Sequence, residues 1–130
     1  MKIKKPTFEK MMREAKASKN ANKCGMFLLH NGVVRVDAKS KVREEKKNTK
    51  KITSMDFSYD DKKVDAAIKK ALKAKGIYYV KVWLNSGVLK VGDDIMLVLV
   101  GGDIRPHVID CLQNLVGEIK NKCVIEKEIS

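Results

Sequence analysis

No CxxC pair occurs in this chain, and its three cysteines, Cys24, Cys111 and Cys123, are odd in number and far apart. That argues against a disulfide framework or a zinc knuckle and fits a reducing, cytoplasmic setting. Apolar runs are short. None approaches the roughly 18 residues that a membrane span requires, and the basic start Lys2-Ile3-Lys4-Lys5-Pro6 leads into no signal-peptide core. A soluble protein is expected. Aromatic residues make up only 5% of the chain, so aliphatic side chains must fill its core. Acidic residues are outnumbered, 16 against 28 Lys and Arg, for a net charge of +12. Arginine is nevertheless rare (Arg13, Arg35, Arg43 and Arg105). Diffuse lysine without arginine forks reads as solvated surface more readily than as a nucleic-acid interface. His30 and His107 stand without a clustered ligand set, so no metal site is expected.

The residues that are present point to one ordered domain. At 130 residues, 44% hydrophobic and 34% charged, the chain can close a single core. Phe8, Met11, Met12 and Ala15 follow Thr7 at helical spacing, so residues 1–23 read as an amphipathic helix and a linker. The run 25–30 predicts a strand that Gly32 bends or breaks. Residues 37–51 are lysine-rich without apolar period and predict a mobile basic loop. Met55, Phe57 and Tyr59 alternate with polar residues as in a half-buried strand, and Asp60 or Asp61 can cap the next element. Val64, Ala67, Ile68, Ala71 and Leu72 predict a helix closed by Gly76.

Two further strands are expected over 77–84 and 95–100, with a turn at Asn85-Ser86-Gly87 between them and Gly101-Gly102 ending the second. Asp103 and Pro106 suit the start of a last helix with a stripe of Val108, Ile109, Leu112, Leu115, Val116 and Ile119. On that helix Lys120 would fall about 20° beyond Ile109, its stem packed and its ammonium facing a groove. Cys123-Val124-Ile125 then predicts a final strand presenting Lys127. The pattern as a whole is α+β.

Several of these residues form a ladder. Gly25, Gly32 and Arg35 are spaced as glycine, six residues, glycine, two residues, arginine; Tyr59 ends a strand; Gly87-Val88-Leu89-Lys90-Val91-Gly92-Asp93 makes a turn between strands; Arg105, Lys120 and Lys127 come last. This ladder resembles the large, catalytic subunit family of molybdopterin synthase, from about Cys24 to Lys127. The resemblance implies an α/β hammerhead-like fold with an antiparallel-rich sheet covered by helices. It also implies a homodimer flanked by two small ubiquitin-like sulfur carriers, each ending in a Gly-Gly thiocarboxylate. The implied reaction moves sulfur onto cyclic pyranopterin monophosphate to form a dithiolene, with no resident cofactor. Lys120 and Lys127 are the implied catalytic residues, and Arg35 and Arg105 the implied substrate-binding ones.

The residue chemistry agrees with that role, because both reactants are anionic and need fixed cations where charge develops. A lysine beside other cations can serve as proton donor, proton acceptor or transient acyl acceptor. The chain also departs from the family pattern. Ile104 stands where a histidine usually precedes the helix-opening arginine, Leu84 and Asn85 replace a histidine-arginine pair, and Val124 and Glu126 replace proline and tryptophan. Two rival readings arise: a non-catalytic paralogue that binds a ubiquitin-like partner, and a basic RNA-binding domain.

Overall fold

Thr7 starts the first helix as its position in the sequence predicts: its Oγ1 accepts the Lys10 amide at 3.0 Å, capping α1 (Phe8–Lys16). Met11 and Ala15 are buried on one face of this helix, while Phe8 stays largely exposed. The structure, a computed structural model, describes residues 4–36 and 54–129. The basic loop expected over 37–51 lies outside the described residues.

Among the described residues, six strands form two antiparallel sheets. In the first, β1 (Met26–Val33), β5 (Asp94–Gly102) and β3 (Ile77–Leu84) lie in the order β1-β5-β3. In the second, β4 (Gly87–Lys90), β2 (Ser54–Tyr59) and β6 (Val124–Ile129) lie in the order β4-β2-β6. The helices α2 (Asp61–Leu72) and α3 (Arg105–Glu118) complete the α+β fold. No helix among the described residues is long and apolar enough to cross a membrane.

The central strand explains its own sequence. Met96, Val98 and Val100 of β5 face a core shared with α2, α3 and the inner face of the second sheet, including Met55, Phe57 and Leu89. Leu97 and Leu99 face the other way, onto Met11, Ala15 and Trp83 beneath α1. Covered on both faces, β5 is a continuous apolar run and not an alternating one. Each such fully buried side chain contributes about 1.5–3 kcal/mol of transfer free energy.

Three expectations need correction. Gly101 and Gly102 do not end β5 but continue it, pairing with Phe27 and Met26 of β1. The Phe27 ring lies where a side chain at Gly101 would stand. Ile109 is 41% exposed, so the buried stripe of α3 runs instead through Val108, Cys111 and Leu115. Lys120 is half-buried and lines a cleft, as expected, although residues 119–123 form a π-helical turn with wider spacing than the α-helix before it. Cys123 belongs to that turn, and β6 begins at Val124.

Candidate functional site

The chain leaves β1 through an irregularity. Pairing with β5 shifts register between Gly32 and Val33, which bends the strand at its end. Val34 is then fixed by two backbone bonds: its amide donates to the Asp93 carbonyl at 3.0 Å, and its carbonyl accepts the Gly92 amide at 2.8 Å. Gly92 adopts φ +91°, which glycine allows without strain, and Asp93 Oδ2 accepts the Lys90 amide at 2.9 Å. Leu89 anchors the same turn in the core. The Gly87–Asp93 turn is therefore a brace that sets where Arg35 emerges.

Arg35 and Lys120 open onto one small cleft of about 40 Å³. Its walls are Gly32, Val33, Met55, Ile95 and Met96, with Glu126 and Glu128 contributed by β6. Lys120 reaches it from the π-helical turn, whose neighbours Ile119 and Cys123 are buried and hold the turn against the core. The Cys123 carbonyl also accepts the Asp60 amide at 2.9 Å, tying this turn to the start of α2. The result is a cleft with two cations and two carboxylates on an apolar floor.

The other two candidate residues lie elsewhere in the protomer. Lys127 is exposed on β6 between Glu126 and Glu128, so strand alternation turns it to the opposite sheet face. Arg105 is exposed at the first turn of α3, a full helix length of about 20 Å from Lys120. Nearby, Asp103 Oδ1 accepts the Ile104 amide at 2.6 Å and lies 2.7 Å from His107 Nδ1. The His107 bond holds the Asp103 carboxyl below its ordinary value. Tyr59 lines a separate groove between α1, α2 and β3, and burial followed by the Asp61 charge raises its phenol.

One residue beside the cleft carries a feature that sequence reasoning did not show. His30 lies on the same face of β1 as Gly32, and a side chain built at Gly32 would come within 3.6 Å of His30 Nε2. Burial, reinforced by the Lys120 ammonium, pushes the imidazole below its ordinary value. The available signal was its place in the alternating row Met26, Leu28, His30, where a polar residue interrupts a buried face. Among the described residues, no three His, Cys, Asp or Glu side chains gather in a group that could hold a metal ion.

In chemical terms the cleft can receive an oxyanion. Arg35 offers a planar fork of donors and Lys120 a compact ammonium.

Known proteins resemble this chain in family pattern and in fold. The family model described as MoaE protein matches residues 6–122. Molybdopterin synthase from Staphylococcus aureus is similar in structure, with 18% identity, a TM-score of 0.72, and coverage of 98% of this chain and 88% of that one. A MoaE protein of molybdopterin biosynthesis from Burkholderia ambifaria gives 16% identity, a TM-score of 0.73, and coverage of 98% and 79%. A complex of subunits 1 and 2 of molybdopterin-converting factor from Helicobacter pylori gives 17% identity, a TM-score of 0.65, and coverage of 95% and 78%. No match is found among curated proteins.

Proposed function

The chain belongs to the MoaE protein family, and from that premise we propose that it is the catalytic subunit of a molybdopterin synthase. It takes sulfur from the C-terminal Gly-Gly thiocarboxylate of a small ubiquitin-like subunit and delivers it to cyclic pyranopterin monophosphate, building the dithiolene of molybdopterin. The observation that carries this reading is the arrival of Arg35 and Lys120 at one cleft from distant parts of the chain. A small-subunit partner is supported by the Helicobacter pylori relative, which is a complex of two subunits.

Thiocarboxylate and cyclic phosphate repel each other, and fixed cations offset that repulsion. Arg35 chelates phosphate or carboxylate oxygens, as its bidentate fork favours. Lys120 works at the reacting centre as proton donor, proton acceptor or transient acyl acceptor. Lys127 and Arg105 join the reaction across a homodimer, where groups remote from the cleft of one protomer complete the cleft of its partner. The working assembly is then a heterotetramer, two copies of this chain flanked by two small subunits. Its setting is the cytoplasm, which suits three free cysteines.

Reconstitution tests this. The protein, mixed with thiocarboxylated small subunit and pyranopterin substrate, should form dithiolene product. Normal binding of both reactants without product would replace the enzyme reading with that of a non-catalytic paralogue.

A further inference from the structure

Arg35, Lys120 and Glu126 line one cleft without pairing. No hydrogen bond or ion pair joins the side chain of any of the three to another described residue. Glu126 is brought there by strand register: it stands opposite Phe57 of β2, which is buried, so its side chain takes the inner face of the second sheet. Lys120 and Glu126 are both half-buried. Opposite charges held partly out of water and kept apart leave donors and an acceptor open to a ligand between them.

Size and charge narrow what the cleft receives. At about 40 Å³ it has room for a few water-sized groups, not for a fused ring system. A carboxylate only accepts hydrogen bonds, so beside a bound oxyanion it repels the ligand unless the ligand also carries a donor. The oxygens of a cyclic phosphate are acceptors only. The end of a peptide is different, because its carboxylate or thiocarboxylate is separated from a peptide N–H by a single α-carbon. A terminal glycine also brings no side chain to crowd Met55, Ile95 and Met96 on the floor.

Resting on the sulfur-transfer reading of this cleft, we propose that Glu126 is the specificity-determining residue by which it selects a Gly-Gly terminus. The Glu126 carboxylate accepts the last peptide N–H of the carrier's tail, while Arg35 and Lys120 hold the thiocarboxylate. Both ends of the terminal glycine are thereby recognised at once. A free phosphate satisfies the cations and leaves Glu126 opposing it.

The test measures binding by the full chain and needs no turnover. Two synthetic peptides ending in Gly-Gly serve as probes, one natural and one in which an ester oxygen replaces the last peptide N–H. The unmutated protein should bind the natural peptide about 10- to 100-fold more tightly, the scale of a hydrogen bond to a charged group. Glu126→Ala should erase that preference by weakening the natural peptide alone, and Glu126→Gln, which keeps an acceptor oxygen, should retain part of it. A preference that survives Glu126→Ala, equal weakening of both peptides, or a tighter natural peptide, which marks the carboxylate as repulsion only, overturns the proposal. If the unmutated protein binds both peptides alike, the role of Glu126 fails and the sulfur-transfer reading stands. If it binds neither, both fail together.

Discussion

Lys127 stands directly opposite Asp56 in the antiparallel pairing of β6 with β2, on the sheet face away from the cleft that Arg35 and Lys120 share. The register sets opposite charges side by side without a salt bridge between them, so their interaction contributes less than about 1 kcal/mol. If Lys127 served only that pairing, Lys127→Ala and Asp56→Ala would behave alike. The proposed chemistry separates them: Lys127→Ala and Lys120→Ala should each lower dithiolene formation by about 10²- to 10⁴-fold, and Asp56→Ala should leave it intact. Urea midpoints of all three should correspond to stability changes below about 1 kcal/mol.

Arg105 poses a question of distance. It stands a helix length from Lys120 in the same chain, and the proposed homodimer would bring it to the same substrate across the interface. Arg105→Ala and Lys120→Ala proteins, each weakened alone, should therefore complement when their subunits are mixed and exchanged. A mixed dimer would contain one site with both residues intact and one site with neither. Random exchange should restore about a quarter of the unmutated activity per site, since about half of the dimers are mixed. Activity that stays at the level of the single variants would confine each site to one protomer.

Stability should fall on mild acidification for a reason traceable to His30. Its folded-state proton affinity is depressed by burial and the Lys120 ammonium, while in the unfolded chain it titrates near 6.5. Between that value and its lower folded value the unfolded chain binds a proton that the folded chain refuses, so stability declines as pH drops through this window. His30→Phe should flatten that part of the curve. Asp94, held low by its bonds to Lys5 and Asn31, and Asp103, held low by His107, act in a different window. Their contributions are present above 3.8 and are lost only as pH falls through their lower folded values. Urea midpoints measured from pH 7.5 to 3, for both proteins, separate the two windows.

Gly92→Ala should damage binding through the brace behind Arg35. Space is open around the added methyl, so the cost is that of holding φ +91° with a side chain, about 1–3 kcal/mol. Relaxing that strain loosens the Gly92 to Val34 bond and moves Arg35. The expected kinetic signature is a higher KM for the phosphate-bearing pterin with kcat nearly held. A lower kcat at constant KM would mean that the turn acts on Lys120 instead.

The parts of this fold that the sequence revealed are those governed by local rules. Val64, Ala67 and Ala71 announce α2 by their spacing and Asp60 caps it, accepting the Lys62 and Lys63 amides. The strand over 77–84 has the same bounds in sequence and in structure. The features that escaped reading depend on packing between distant segments. Gly101 and Gly102 looked like a stop because glycine commonly ends strands, yet neighbouring β1 and β3 hold them in register. Ile109 looked like core because the stripe was drawn for a regular helix in contact along its length. The Arg35 and Lys120 meeting was implied by family resemblance alone, since no periodicity brings two such distant residues together. His30 was passed over because an unsatisfied buried nitrogen is visible only once its neighbours are known.

The π-helical turn over 119–123 sets the facing of β6 by counting. A π turn holds one residue more than the α-helical turn it replaces, so the chain beyond it is out of step with α3 by a single position. Remove any one of these five residues and the helix can close regularly, but everything downstream rotates by about 100°. The alternation of β6 would invert, exchanging Lys127 with its glutamate neighbours. The length of this corner therefore fixes which side chains of β6 face the cleft, so a one-residue change would preserve their chemistry and misaddress all of it.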